Sequence, residues 1–340
     1  MLDLGTTLQG YRIESVLGHG AMGEVYKVRH LDRGTVHAMK YLALPSRKVR
    51  QRIQREAQSQ SRLSHPNVVG LLEVIEYDGD PALIMEYVEG PTLEQWLETA
   101  KPTLQEAESI FRQILAGVAH AHRKGLVHRD LKPANVLMSR TRTGLVPKVA
   151  DFGIAKIVDA SGPVGSQAAL TRTGTSLGSP AYMAPEQIRD AREVDATADV
   201  WSLGCLLYEL LLHRRAFEGA DVLDVMNAVQ DGRFTAPREL KPELPERFVR
   251  AIDGCLKIDK DDRFESCDEI IAALDDGGGA TVATGEYRSE SPPPARRAGS
   301  EVPGAGRPAS SVAATVPPLA VAIGAGILVL IIALAAVLLR

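Results

Sequence analysis

Residues 128–135 read HRDLKPAN, and residues 151–153, which begin sixteen positions after Asn135, read DFG. Transfer of a phosphoryl group to an alcohol needs a carboxylate beside the attacking hydroxyl and oxygen ligands for a Mg²⁺ ion that bridges the phosphates. Asp130 suits the first task. Asn135 and Asp151 suit the second, because Mg²⁺ prefers hard oxygen donors.

Other residues of the first stretch suit supporting tasks. Lys132 can screen charge on the transferring group. His128 is interpreted as a structural residue rather than a base, with packing and hydrogen bonds near Phe152. Arg129 can pair with a phosphate that is introduced further along the chain, which predicts regulation by phosphorylation.

A glycine-rich stretch lies near the start of the chain, where residues 17–25 read LGHGAMGEV. Its glycines lack Cβ atoms, so the backbone can approach phosphates closely and donate its N–H groups. A dinucleotide-binding fold would place this spacing between a strand and a helix. Residues 24–28 instead continue as a strand, which favours a β-hairpin that covers the phosphates.

Lys40 ends the next strand-like run. A lone lysine in a strand is usually a solvated edge residue, and that alternative stays open on this residue alone. After a glycine-rich hairpin, an ammonium can instead neutralise phosphate charge if a carboxylate holds it in place. Glu56 is the candidate carboxylate, because Ile53 and Ala57 predict a helix around it.

The composition is that of an ordinary globular protein. The 340 residues are 45% hydrophobic and 24% charged, and the net charge of −4 provides no basic field for nucleic acid. Three cysteines, Cys205, Cys255 and Cys267, are too few for a disulfide framework and lack metal-ligand spacing. We therefore expect reduced, mostly buried thiols.

Strand-like runs predominate before residue 88, and helical patterns predominate after it. Strands are predicted at 11–16, 23–30, 37–42, 68–77 and 82–87. Helices are predicted at 47–63, 104–124, 199–212, 220–230, 245–256 and 267–274. A strand-rich segment followed by a helix-rich one predicts two lobes of an α+β protein.

The end of the sequence divides into two segments. Residues 277–318 are rich in glycine and proline, which predicts a disordered linker. Residues 319–339 carry no charge, and as a helix they would span roughly 30 Å, the thickness of a bilayer core. We expect a transmembrane helix there rather than a buried core helix, because the run is apolar on all sides. The N-terminus lacks the pattern of a signal peptide.

In order and spacing, these motifs resemble those of the Hanks-type (eukaryotic-like) serine/threonine protein kinases, most of all the bacterial single-pass, membrane-anchored members. The resemblance covers residues 11–274. It implies the α+β, bilobal protein kinase fold, with a β-rich N-lobe near 11–88 and a helical C-lobe near 89–274. It also implies transfer of the ATP γ-phosphoryl group to Ser and Thr hydroxyls of proteins.

The resemblance further implies a nucleotide site. The loop that covers the nucleotide would consist of Leu17, Gly18, His19, Gly20, Ala21, Met22, Gly23, Glu24 and Val25. Further nucleotide contacts are implied for Ala38, Lys40, Glu56, Met85, Glu86, Val88 and Leu137. In this set Met85 would be the gatekeeper, residues 86–88 would form the hinge that hydrogen-bonds adenine, and Lys40 would contact phosphates and pair with Glu56.

The family's catalytic residues map onto the opening motif. Asp130 would be the catalytic base, and Lys132 would contact the transferring phosphate. Asn135 and Asp151 would hold Mg²⁺, with Mn²⁺ as an alternative ion. The sequence DLKPAN at 130–135 is typical of the serine/threonine class.

Further positions can be compared with the family's C-lobe. Residues 184–186, APE, resemble the motif that closes the activation segment, with Arg263 as the buried partner of Glu186. Asp199 would brace the catalytic loop through backbone N–H groups. Ser179 departs from the commoner threonine but retains a hydroxyl.

The segment between the DFG and APE motifs contains three candidate phosphorylation sites, Thr171, Thr173 and Thr175. We expect autophosphorylation at one of them to order the segment through Arg129. A flexible polar loop without modification is the alternative.

The charges around the apolar run predict its orientation. Arg296, Arg297 and Arg307 precede the run, and Arg340 alone follows it, so the kinase side should face the cytoplasm and the C-terminus should lie on the far side of the cell membrane. We expect no sensor domain on that far side. The small residues at 324–326 would allow close helix approach and hence a homodimer.

Two rival functions deserve comparison with protein phosphorylation. A pseudokinase scaffold would bind nucleotide and partners without transfer, yet the residues it would be expected to lose are present: Lys40, Glu56, Asp130, Asn135 and Asp151. A small-molecule phosphotransferase would not need residues 184–186 and the long segment before them, which form a peptide-docking platform in the family.

Overall fold

Six antiparallel strands build the sheet of the N-lobe in a computed structural model that describes residues 2–20, 23–42, 47–142, 144–152, 180–190 and 194–276. They are β1 (Thr7–Leu8), β2 (Tyr11–Gly20), β3 (Gly23–His30), β4 (Val36–Tyr41), β5 (Leu71–Tyr77) and β6 (Asp80–Glu86). Their order in the sheet is β1-β2-β3-β4-β6-β5. Helix α1 (Arg47–Gln60) lies between β4 and β5 in sequence.

The alternation of side chains along β4 divides the N-lobe into two apolar layers. Met39 is fully buried in a cluster with Tyr26 and Ile84 on one face of the sheet. Ala38 is buried on the opposite face, in the cluster that includes Ile53 of α1. Lys40 shares the face of Ala38, so its side chain points toward α1 and the space between the lobes.

Gly23 permits the tight hairpin between β2 and β3. Its φ is +145°, and a Cβ atom at this position would lie 2.0 Å from the carbonyl oxygen of Tyr41. Only glycine fits this conformation and this approach. The structure of the hairpin therefore requires glycine at position 23, the third glycine of the glycine-rich stretch.

The C-lobe contains eight helices among the described residues. These are α2 (Leu93–Thr99), α3 (Leu104–Arg123), α4 (Pro185–Arg189), α5 (Ala196–Leu212), α6 (Val222–Gln230), α7 (Pro237–Leu240), α8 (Glu246–Cys255) and α9 (Cys267–Asp275). A hairpin of β7 (Val136–Thr141) and β8 (Gly144–Val149) lies against them, preceded by a 3₁₀ turn at Pro133–Asn135. Thr103 begins α3 with a capping box, because its hydroxyl accepts from the Glu106 N–H and the Glu106 carboxylate accepts from the Thr103 N–H.

Helix α5 forms the centre of the C-lobe core. Thirteen of its residues are buried, and Trp201 stacks on Phe217 with ring centroids 5.2 Å apart. The helix begins at the cap residue Asp195, whose side chain accepts from the Thr197 N–H. A helix buried on all sides has no solvated face, so its one acidic residue near the start, Asp199, must find partners inside the protein.

The predicted strands and long helices are present, with boundaries that differ by a few residues. The strand predicted at 68–77 begins at Leu71, and the helix predicted at 47–63 ends at Gln60. Short elements escaped prediction: β1, α2, α4, α7 and the β7–β8 hairpin. The expected thiols are confirmed, since Cys205, Cys255 and Cys267 are free and buried.

The linker predicted at 277–318 and the membrane span predicted at 319–339 lie outside the described residues. Within the described part of the chain, every helix is too short or too polar to cross a bilayer.

Candidate active site

Asp199 holds the catalytic loop by its backbone. Its Oδ2 accepts from the His128 N–H and its Oδ1 from the Arg129 N–H, both at 2.8 Å, and His122 Nε2 lies 2.8 Å from Oδ2. The carboxylate is fully buried. Desolvation by itself raises the pKa of Asp199, but the hydrogen bonds and charges of the two histidines outweigh it and the pKa lies below its ordinary value. Arg129 adopts a positive φ of 68°, which these two bonds maintain.

His128 is a fully buried structural residue, as the sequence suggested. Its Nδ1 accepts from the Asp130 N–H at 3.2 Å, and its Nε2 donates to the carbonyl oxygen of Ala150 at 2.8 Å. Its ring contacts that of Phe152 at 4.8 Å between centroids. Both ring nitrogens are thus engaged in hydrogen bonds within the protein, and no nitrogen remains for proton transfer.

Three polar side chains of the predicted site lie together in this loop. Lys132 Nζ lies 2.9 Å from Oδ1 and from Oδ2 of Asp130. Asn135 Nδ2 donates to the backbone oxygen of Asp130 at 2.6 Å and to its Oδ2 at 3.0 Å. Because the amide nitrogen of Asn135 is used in this way, its amide oxygen is the atom left for a cation.

The β7–β8 hairpin brings Asp151 back to Asn135. The Ala150 N–H donates to the backbone oxygen of Asn135 at 2.9 Å, immediately before Asp151. Asp151 has a positive φ of 62°. A residue in this sparsely populated region is held there by its surroundings, here by the pairing of the hairpin.

Asp151 and Lys40 form an ion pair across the two lobes. Lys40 Nζ lies 2.8 Å from Asp151 Oδ2, with the two side chains 9% and 28% exposed. Desolvation by itself raises the pKa of Asp151, but the charge and the hydrogen bond of Lys40 outweigh it and the pKa lies below its ordinary value. Glu56 lies half-buried in α1, and its expected pair with Lys40 stays a prediction.

The residues expected around adenine line one region between the lobes. Ala38 and Met85 are cross-strand neighbours in β4 and β6, and both are buried in the cluster beneath α1. Val25, Val88 and Leu137 pack against that cluster. The structure therefore groups these five apolar side chains at the mouth of the gap between the lobes.

Most of the glycine-rich hairpin is described. Gly18 is opposite Val25, His19 is opposite Glu24, and Gly20 is opposite Gly23. Leu17 is 45% exposed. Ala21 and Met22, at the tip, lie outside the described residues, as do the candidate phosphorylation sites Thr171, Thr173 and Thr175.

The predicted pair that closes the activation segment is present. Arg263 Nη1 lies 2.7 Å from Oε1 and Nη2 2.8 Å from Oε2 of Glu186, a bidentate pair in which the arginine side chain is fully buried. The same guanidinium lies 5.0 Å from the ring of Trp201 in α5. Gln187 Nε2 donates to the backbone oxygen of Arg129 at 2.8 Å, which ties this segment to the catalytic loop.

Two residues at the site escaped sequence analysis. Gln187 directly follows residues 184–186, and this position beside the recognised motif is the sequence feature that could have identified it. Lys148 lies 2.9 Å from Glu86 although 62 positions separate them, and no local pattern marks such a contact.

Comparison with known proteins agrees with this geometry. The model of the protein kinase domain family matches residues 11–273. A Streptomyces coelicolor protein named as a probable serine/threonine-protein kinase is 37% identical over 290 residues, which are 81% of this chain and 42% of that protein. Serine/threonine-protein kinase Pkn3 of Myxococcus xanthus is 35% identical over 276 residues, or 78% of this chain and 49% of its own length. The chain thus spans less than half of the length of these relatives.

A solved structure supports the fold. The kinase domain of PknI from Mycobacterium tuberculosis aligns with a TM-score of 0.61 and 28% identity, over 82% of this chain and all of that one. The bilobal architecture, with a strand-rich N-lobe and a helical C-lobe, is common to both. The chain belongs to the protein kinase family, as a member of the Hanks-type serine/threonine protein kinases.

Proposed function

We propose that this chain is an active serine/threonine protein kinase, which transfers the γ-phosphoryl group of ATP to Ser or Thr hydroxyls of proteins. The observation that supports the proposal is that Lys132 and Asn135 both hold Asp130, at 2.9 Å and 2.6–3.0 Å, while Lys40 pairs with Asp151 across the lobes. A scaffold without activity has no need of this arrangement. The test is incubation with γ-labelled ATP, Mg²⁺ and a protein acceptor, followed by phosphoamino acid analysis. Label on serine or threonine is expected, and label confined to tyrosine would contradict the proposed class.

In the proposed reaction Asp130 orients the acceptor hydroxyl and accepts its proton as the oxygen attacks. Lys132, already beside this carboxylate, screens negative charge on the transferring group. Asp199 keeps the backbone of the loop in place throughout, because its two bonds fix residues 128 and 129. Positioning and electrostatics account for most of the catalysis in reactions of this kind.

Asn135 and Asp151 fit a divalent cation. Asp151 is held in its charged form, and the amide oxygen of Asn135 is left for a cation by the hydrogen bonds of its nitrogen. Two hard oxygen ligands suit Mg²⁺, which takes further ligands from phosphates and water, and Mn²⁺ is an alternative. When bound, the ion neutralises charge on the phosphates. Chelation should abolish transfer, and either ion should restore it in the wild type but poorly in Asn135→Ala.

We further propose control by autophosphorylation at Thr171, Thr173 or Thr175. Support comes from Arg129, which precedes the catalytic aspartate and whose Nη2 donates to the Val194 carbonyl at 2.8 Å. A phosphate is a stronger acceptor for a guanidinium than a carbonyl oxygen is. Mass spectrometry of active protein should find phosphate on at least one of the three. A fully active protein without phosphate on any of them would refute the proposal.

The proposed location is the cell membrane, with residues 319–339 as a single span, residues 277–318 as a linker, and the kinase domain at residues 11–274 in the cytoplasm. The support is the uncharged run and the arginines that precede it. Deletion of residues 319–339 should move the protein from the membrane fraction to the supernatant. Crosslinking in detergent tests whether the same span forms a homodimer, and a monomer would count against that arrangement.

A further inference from the structure

A second lysine–carboxylate pair joins the two lobes, away from Asp130. Lys148 Nζ lies 2.9 Å from Oε1 and 3.0 Å from Oε2 of Glu86. Lys148 belongs to β8 in the C-lobe hairpin, whereas Glu86 is the last residue of β6 and the first of the connection between the lobes. The pair therefore fastens the connection to the hairpin.

Glu86 is held from a second side as well. Its backbone N–H donates to the Gly70 carbonyl at 2.8 Å, and its Oε2 lies 3.4 Å from the Gly70 nitrogen. The Lys148 side chain is only 16% exposed, so its ammonium depends on the carboxylate for compensation. The Glu86 side chain is 38% exposed, which leaves its carboxylate access to water if the lysine is removed.

The pair lies next to the apolar group between the lobes. Lys148 is directly opposite Leu137 in the β7–β8 register. Leu137 packs against the same cluster as Ala38 and Met85, and Met85 immediately precedes Glu86. The ion pair thus links residue 86 directly to the hairpin that carries Leu137, beside the residues expected around the base.

We propose that Lys148 is a positioning residue that gives the nucleotide site its preference for adenine over guanine. The inference rests on the proposed kinase function. Backbone donors and acceptors discriminate between bases only while they are held at a fixed position, since a displaced backbone leaves the correct base imperfectly paired. Lys148 holds the backbone at Glu86 and makes no contact with the nucleotide itself.

The test compares nucleotide affinities of the full chain and its variants by calorimetry in the presence of Mg²⁺. In Lys148→Gln, the Kd for ATP should rise about five- to tenfold, the range expected when one ordinary hydrogen bond to the base is imperfectly made. The Kd values for GTP and for inorganic triphosphate should change little, so the preference for ATP should fall. Lys148→Arg should retain the preference. Arg238→Gln, which breaks the exposed pair of Arg238 with Glu246, is the matched control and should behave as the wild type.

The inference is overturned if the ratio of ATP to GTP affinity in Lys148→Gln is unchanged. This includes an equal loss for ATP, GTP and triphosphate, which would indicate general damage. If Lys148→Gln fails to fold, Glu86→Gln breaks the same pair and should show the same loss of preference. Failure of the proposed function is distinguishable, because a wild type that binds ATP without transferring phosphate still reports the ratio.

Discussion

At the scale of single residues, Asp199 connects helix α5 in the C-lobe core to the loop that carries Asp130. A buried carboxylate is destabilising unless several donors compensate it. Here two backbone N–H groups and His122 do so, and the same bonds fix the backbone just before Asp130. One side chain thus contributes to both stability and catalytic geometry.

Asp199→Asn should reduce both the stability of the protein and the rate of phosphoryl transfer. The amide would turn an N–H₂ group toward one of the backbone N–H donors, leaving it unsatisfied in the core. We expect a loss of about 2–4 kcal/mol in the free energy of unfolding, measured by urea titration, and at least a tenfold loss of transfer rate. Asp231→Asn, which alters an exposed pair with Arg233, should change the free energy by less than about 0.5 kcal/mol. Equal effects of the two substitutions would refute the bracing role.

The contribution of Asp199 should also depend on pH. Its pKa in the folded protein lies below the ordinary value of 3.8, so the unfolded chain binds more protons in the acid range and stability rises with pH. The gap in unfolding free energy between the wild type and Asp199→Asn should be complete at neutral pH and should shrink from about pH 5 downward. Urea titrations at a series of pH values measure it. A difference in unfolding free energy that grows on acidification would contradict the lowered pKa of Asp199.

At the scale of elements, glycine controls how the connection between the lobes meets the C-lobe hairpin. Gly90 has a φ of +156°, and a Cβ atom there would lie 1.9 Å from the Met138 carbonyl oxygen. Gly90→Ala should therefore cost more than about 2 kcal/mol of unfolding free energy. Gly10 has a φ of +89° with open space around it, so Gly10→Ala should cost only about 1 kcal/mol for the conformation. Thermal unfolding of both variants measures the difference, and similar losses would exclude the backbone clash as the cause.

The long elements were predictable because their periodicity reports burial directly. Helix α3 shows this pattern. The short elements contain too few residues for a periodic pattern to predict them. For α2 the available signal was local: Thr92 and Gln95 form a capping box at its start.

The predicted site residues came together where the chain supplies them within a few positions, as at Asp130, Lys132 and Asn135. Contacts over long separations could be anticipated only through the family resemblance, as for Arg263 and Glu186. The partner of Lys40 in this structure, Asp151, is 111 positions away. Such pairs depend on how the two lobes pack, which no local pattern reports.

At the scale of the whole molecule, the Arg263–Glu186 pair joins two distant segments of the C-lobe. Arg263→Met would leave Glu186, whose side chain is only 14% exposed, without its partner, and about 3–5 kcal/mol of unfolding free energy should be lost. The double variant with Glu186→Gln should lose clearly less than the sum of the single losses, because it removes both charges. Arg214→Met, in an exposed pair with Glu218, should be nearly neutral. Strict additivity in the double-mutant cycle would contradict the coupling.

If the loop around Asp130 carries out phosphoryl transfer, the direct test measures transfer and ATP binding in the same preparations of wild type and Asp130→Asn. We predict that both bind ATP with similar Kd, because Asp130 serves the acceptor hydroxyl. Transfer of label to serine or threonine should fall about 10²- to 10⁴-fold in the variant. Equal labelling by the two proteins, or no labelling by a wild type that binds ATP and Mg²⁺, would contradict this role of the loop.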